Sequence, residues 1–369
     1  MRRNLQLDFL RFCGVALVMI HHLGSITNYP NSGRLVNFLN NIHHHFQWGG
    51  WVGVDLFFVL SGYLVSGLII KEYQIHGSFN AKTFLIRRGL KIYPTYYIFI
   101  VYQFLFSYYF LHKPQTLSGL FHEAIFVANY FDYNNIHLWS ISVEEHFYFG
   151  LALVFLILIK FQKVNLKSIL IIYFVCLTAG ILFRLHNFYS YSIWDFDRDY
   201  TRSHIRIDAL FLGVVLAFVS NYRKEIFNKI LINRFRSFYF VLALLFLSTN
   251  FVFNRDTYRL ISVVSLALNP VCFGYILILV INYKNPLFLK VISPLSFIGM
   301  FSYSIYLFHL NFLMITDQLF KLGTGPYIVF YFTSSVIGGI IISKCIEYPI
   351  IKYRERHFPS KSRNHEREA

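Results

Sequence analysis

Residues 5–24 read LQLDFLRFCGVALVMIHHLG, a mostly apolar run of the length an α-helix needs to cross a hydrocarbon core of about 30 Å. Arg2 and Arg3 precede it, as basic residues precede the apolar part of a secretory leader. Asp8 and Arg11 interrupt the run, and no clear small-residue cleavage site follows, so it reads as a retained first span. Further apolar windows fall near 50–70, 92–111, 138–159, 166–186, 205–220, 237–253, 259–281, 291–316 and 326–346. They predict an all-α, polytopic bundle of about ten crossings. The shorter apolar stretch 117–131 is expected to form a re-entrant or surface helix.

Composition agrees. The 369 residues are 56% hydrophobic and only 14% charged, against about 25% charged in an ordinary soluble domain. The formal net charge of +16 does not point to nucleic acid, because Lys and Arg sit in short segments between apolar runs. With the N-terminus inside, 23 of the 34 Lys and Arg residues fall on the cytoplasmic side and 6 on the other. That asymmetry predicts two cytoplasmic termini. The expected organisation is a membrane domain over 1–350 and a basic cytoplasmic tail over 351–369, frayed beyond Pro359. Cys13, Cys176, Cys272 and Cys345 lie scattered in apolar segments and read as small buried side chains. His43, His44 and His45 are adjacent, a poor arrangement for converging on one metal ion, so no metal is expected.

Ionisable groups at membrane depth cost a few kcal/mol or more each, which makes them functional candidates. Asp8, Arg11, His21 and His22 lie in the first span and Asp55 in the second. Glu144, Glu145 and His146 lie in the fourth, and Arg206, Asp208, His309 and Glu347 follow. Ion pairs between helices are the plain reading of any one of them. Arg11 and His22, eleven residues apart, return to nearly the same helix face about 16 Å apart along the axis. An arginine suits phosphate, and a histidine suits proton transfer. Arg87, Arg88 and Lys91 precede the third span, either as a positive-inside anchor or as a clamp for an anionic donor. Pro94 is expected to kink this helix or set its first turn. Ser140 and Glu144 share a face, with Glu145 adjacent, and such carboxylates can exchange protons or orient a histidine.

Seven blocks then fall in a familiar order: LDFLRFCGVALVMIHH, GVDLFFVLSGYLVSGLI, FLIRRGLKIYP, HLWSISVEEHFYF, RIDALFLG, IGMFSYSIYLFH and EYP. The chain resembles the acyltransferase-3 family of bacterial membrane O-acyltransferases. The resemblance implies that His22 is the catalytic histidine with Arg11 its partner. It implies that Arg88 and Lys91, helped by Arg87, hold the coenzyme A phosphates, with lysine in the second basic position. Ser140 and Glu144 match the serine–glutamate motif, and His146 stands where the family has glutamine. His309 and Glu347 match the late blocks, and Asp55, Arg206 and Asp208 lie within others.

The expected activity is transfer of an acyl group, acetyl above all, from cytoplasmic acyl-CoA to a hydroxyl of an extracytoplasmic glycan or lipid-linked saccharide. His22 acts as base or acyl carrier, assisted by Glu144 or Glu145. Acyl-CoA is the donor substrate, and no permanently bound cofactor is expected. The cell inner membrane is the expected location, with membrane lipids around the chain and a separate envelope-biosynthesis protein as a potential partner. A proton-coupled transporter or flippase built on the same intramembrane carboxylates and histidines is the competing reading, and a scaffold the third.

Overall fold

The computed structural model describes residues 4–23, 44–321 and 324–360. Among them the chain is helical, with no strand. In chain order the helices are α1 (Leu5–His22), α2 (Val52–His76), α3 (Ala81–Tyr109), α4 (Leu117–Ala124), α5 (Trp139–Lys160) and α6 (Leu166–Ser190). There follow α7 (Ile207–Tyr222), α8 (Lys224–Ile232), α9 (Arg236–Val252), α10 (Arg259–Asn282), α11 (Pro286–Gly299), α12 (Ser302–Leu319), α13 (Gly325–Ile342) and α14 (Tyr348–His357). A further helical stretch covers 44–49.

The starts of many helices are written locally. Asn4, Asn80, Asn165 and Asn285 each accept a hydrogen bond from the backbone N–H three residues on, and Thr116 and Thr324 do so through their hydroxyls. Such caps satisfy donors that the first helical turn leaves unpaired.

Among the described residues six helical segments are long and apolar enough to cross a membrane: Leu5–His22, Val52–His76, Ile136–Lys160, Leu166–Ser190, Arg259–Asn282 and Gly325–His357. Two bent pairs, α8 with α9 at 87° and α11 with α12 at 62°, raise the number to eight if each is one span. The single span expected over 291–316 is therefore two helices meeting just after Gly299. Hydropathy runs unbroken across that point, so composition does not reveal the bend. Pro94 does not set a first turn: α3 begins at Ala81 and runs through it. Segment 117–131 contains the eight-residue α4, capped at Thr116, followed by Phe126 at φ 60. Burial pushes the Glu123 carboxyl up, although Asn134 N–H, Asn135 N–H and the Asn135 amide all donate to it. The tail is helical through His357 and continues from α13 by a π-helical turn at Ser343–Glu347.

The contacts divide the chain into two compact units. One comprises 1–57 and 231–343: α1 packs on α10, α11 and α12, α9 on α10, and α12 on α13. There Gly299 of α11 sits against the backbone of Asp8, where an added Cβ would lie 1.8 Å from the Asp8 carbonyl oxygen. The other unit comprises 58–230 and 344–369. In it α6 packs on α7, α3 on α5, and α14 on α3. Gly62 of α2 meets Gly213 and the Leu210 carbonyl of α7, 2.0 Å from a hypothetical Cβ. Small residues allow helices to approach this closely, a common solution where lipid provides no hydrophobic drive.

Gly299→Val should lower the thermal stability of the detergent-solubilised chain by several degrees, since a rigid backbone atom opposes the new methyl groups and overpacking costs about 1–3 kcal/mol. Gly150→Val, where nothing lies within 4 Å, should leave the melting temperature near wild type. Size-exclusion melting curves of the two variants check this.

Candidate active site

The first unit holds a histidine pair. α1 places His22 in its last turn and α12 places His309 midway along its length. Their rings lie 5.0 Å apart, with His309 Nε2 3.2 Å from His22 Nδ1. His22 Nδ1 also lies 2.9 Å from the Val18 carbonyl, and His309 Nδ1 bonds the Tyr306 carbonyl. A carbonyl oxygen only accepts, so both Nδ1 atoms carry hydrogen. His309 Nε2 is then an acceptor that shares the His22 Nδ1–H. His22 Nε2 is left with its lone pair, the arrangement of a base whose ring is held by a third group.

His21 Nδ1 donates to the Gln47 carbonyl, and its ring meets that of His22 edge-on at 5.1 Å. Arg11 pairs with Asp8 at 2.7 Å, one turn earlier on α1. Asp55 is fully buried and accepts from Asn269 at 3.1 Å, and Asn269 in turn bonds Asn250. Neither amide carries a charge or a motif that sequence reading could pick out. Arg255, in the loop joining α9 to α10, lies 5.3 Å over the Trp51 ring and faces both His21 and His22 electrostatically. Among the described residues no group of three metal-capable side chains assembles. His44 packs on Trp48 and His45 Nδ1 bonds the Phe251 carbonyl, while His43 lies outside the described residues.

The second unit gathers the basic motif and the carboxylates. Tyr148 donates to Glu144 Oε2 at 2.8 Å and meets the Ser61 hydroxyl at 2.8 Å. Arg88 lies 5.9 Å over the Tyr148 ring, and Lys91 and Arg88 are the cations facing Glu144. Glu145 accepts from Tyr93 at 2.9 Å, and its other oxygen is buried with no hydrogen-bond partner among the described residues. Tyr148 lies one turn beyond Glu144, a spacing legible in sequence, whereas Ser61 and Tyr93 come from other helices. Ser140 bonds back to the His137 carbonyl at the start of α5. Arg87 turns away to the tail, pairing with Glu355 at 2.9 Å and donating to the Phe358 carbonyl. Glu347 is buried in the π-helical turn.

Two candidates have structural settings. Asp208 is held by Arg184, whose guanidinium nitrogen lies 2.8 Å from both carboxylate oxygens, with both side chains buried. Arg206, 1% exposed, is caged by the Tyr200, Phe58 and Trp139 rings at 4.5, 5.3 and 5.7 Å. Desolvated cation–π contacts of this kind stabilise a buried guanidinium by about 2 kcal/mol each. His146 bonds the Ser203 hydroxyl at 2.7 Å, and Asn129 donates to the same oxygen.

A family model described as an acyltransferase domain matches residues 4–344, nearly the whole described chain. The chain belongs to the acyltransferase-3 family. It is 29% identical over 321 residues to the O-acetyltransferase OatA of Staphylococcus aureus (strain NCTC 8325 / PS 47), covering 78% of this chain and 50% of that protein. It is 28% identical over 381 residues to a protein of S. aureus (strain COL) named "Putative O-acetyltransferase SACOL0978", covering 94% of this chain and 57% of that one. The chain thus spans about half the length of the curated relatives it matches. No solved structure matches it.

The buried Arg184–Asp208 pair gives a direct stability test within this family member. Arg184→Met alone should destabilise the chain by roughly 3–5 kcal/mol, because a buried carboxylate loses its partner, while Arg184→Met with Asp208→Leu should recover most of that loss. Thermal melts of both variants check it; equal losses would contradict a paired structural role.

Proposed function

We propose that the chain is a multi-pass O-acetyltransferase of the cell inner membrane, moving an acetyl group from cytoplasmic acetyl-CoA to a hydroxyl of an extracytoplasmic glycan. The observation that carries this reading is the His22–His309 pair, whose carbonyl partners leave His22 Nε2 as an oriented base. The names of the relatives support acetyl as the group and O-acylation as the chemistry.

In this reading the six long apolar segments, the two bent pairs each taken as one span, α3 and the shorter apolar α7 are ten crossings, an even number that puts both termini on one side. Lys and Arg are concentrated on that side. Arg88 and Lys91 hold the donor phosphates, and Arg87, engaged by Glu355, fastens the tail helix. Glu144, hydrogen-bonded by Tyr148, keeps the paired cations in place.

In the reaction, His22 Nε2 takes the proton of the sugar hydroxyl as its oxygen attacks the thioester carbonyl carbon. The C–O bond forms, the C–S bond breaks, and the departing thiolate takes the proton from His22. His309 Nε2, accepting from His22 Nδ1–H, steadies the transient imidazolium. General bases of this kind contribute about 10²–10⁴ in rate.

His22→Ala expressed in the source cells should reduce ester-linked acetyl on one envelope glycan to background, while the variant inserts in the membrane at wild-type level. Alkaline release and quantification of acetate from isolated glycans provide the measurement. Unchanged acetate on every glycan would overturn the reading.

A further inference from the structure

Beside the histidine pair, and within the same unit, lies a pocket of about 300 Å³. Its walls come from the end of α1, the helical stretch 44–49 and the loop joining α9 to α10. This is the low end of the roughly 300–1,000 Å³ range of small-molecule sites, the size for a single ring ligand instead of a whole nucleotide thioester. His21, Trp48, Asn254, Arg255 and Asp256 line it.

The lining combines an indole with an amide, a carboxylate and a guanidinium, the side-chain types that suit a sugar ring. Trp48 supplies an indole held by His44 at 4.3 Å and by His45 edge-on at 5.6 Å. An aromatic face takes the C–H face of a pyranose, and planar polar side chains bond its hydroxyls. Asn254 supplies an amide, Asp256 an acceptor and Arg255 a donor fork. Arg255 and Asp256 lie only 4.0 Å apart and carry opposite charges, so the lining has no net charge to attract the phosphates of an acyl-CoA. The loop is also pre-shaped: Asn254 accepts from the Asp256 N–H through its side chain and from the Tyr258 N–H through its carbonyl. Arg255 is mostly covered, its side chain 12% exposed, whereas Asp256 at 62% opens to the outside of the chain.

The pocket lies one ring away from His22. His21 forms its wall and packs its ring 5.1 Å from that of His22. We infer that this pocket is the acceptor subsite, in which one neutral sugar ring stacks on Trp48 and is hydrogen-bonded by Asp256 and Arg255, presenting a hydroxyl to His22. The inference rests on the glycan-acylating reading above and adds the part of the chain that selects the acceptor. It makes Trp48, Arg255 and Asp256 binding residues.

The test uses the full chain in its source cells, with glycan acetate measured for Trp48→Ala, Trp48→Phe, Asp256→Asn and His22→Ala. Each chain is also purified and titrated with acetyl-CoA. The expected result is a fall of about tenfold in glycan acetylation for Trp48→Ala and Asp256→Asn, the size of loss typical of a central anchor residue. Trp48→Phe, which keeps an aromatic face, should restore most of it, and acetyl-CoA affinity should stay at wild type in all three. Wild-type acetylation in both Trp48→Ala and Asp256→Asn would overturn the subsite while leaving the transferase reading intact. So would a loss that Trp48→Phe fails to rescue, or one accompanied by lost acetyl-CoA binding. Undiminished acetylation in His22→Ala would instead remove the transferase reading, and the subsite with it.

Discussion

The hydrogen that His22 Nδ1 shares between the Val18 carbonyl and His309 Nε2 is the constraint on which the arrangement of this unit's histidines rests. It sets the tautomer of the ring, decides which nitrogen can take a proton, and ties the end of α1 to α12. The requirement explains why α12 must be oriented independently of α11. The bend after Gly299 lets α11 lie against the Asp8 backbone while α12 brings His309 to the far end of the same α1 helix. A straight helix over 291–316 would have to satisfy both contacts along one axis.

The same constraint recurs wherever a charge meets apolar surroundings. A buried ionic group is tolerable when its remaining polar atoms are satisfied or its charge is faced by another. Asp208 has Arg184, Asp55 has Asn269, and Glu144 has Tyr148 with Arg88 and Lys91 facing it. Arg206 is met by three aromatic rings. These settings separate the candidates by kind. Asp208 and Arg206 are enclosed by protein partners, whereas the hydrogen bonds of the histidine pair engage Nδ1 of His22 and not its Nε2.

Much of this was legible in the sequence because the signals are local. Hydropathy marks α1, α2, α5, α6 and α10 within a few residues, and the apolar run of α1 shows its polar interruptions at Asp8, Arg11 and His22. The family blocks gave His22 and His309 together, although nothing in either block says that their rings meet. The parts not legible are contacts between distant residues. Asn250 and Asn269 look like ordinary polar residues in apolar helices until Asp55 is placed beside them. Arg87 reads as one more membrane anchor until Glu355 and Phe358 of the tail fold back to it. Arg255 reads as a loop cation, because its approach to Trp51 and the histidines depends on how the loop joining α9 and α10 is folded.

Nitrogen NMR of the isotopically labelled full chain in bilayers reads the position of the one His22 ring proton. The His22 and His309 signals can be assigned by difference against single variants of each. Both should show neutral rings protonated at Nδ1, with His22 Nε2 unprotonated near neutral pH. A His22 ring protonated at Nε2 would rule out His22 as the base, since the nitrogen assigned to take the acceptor's proton would already hold one.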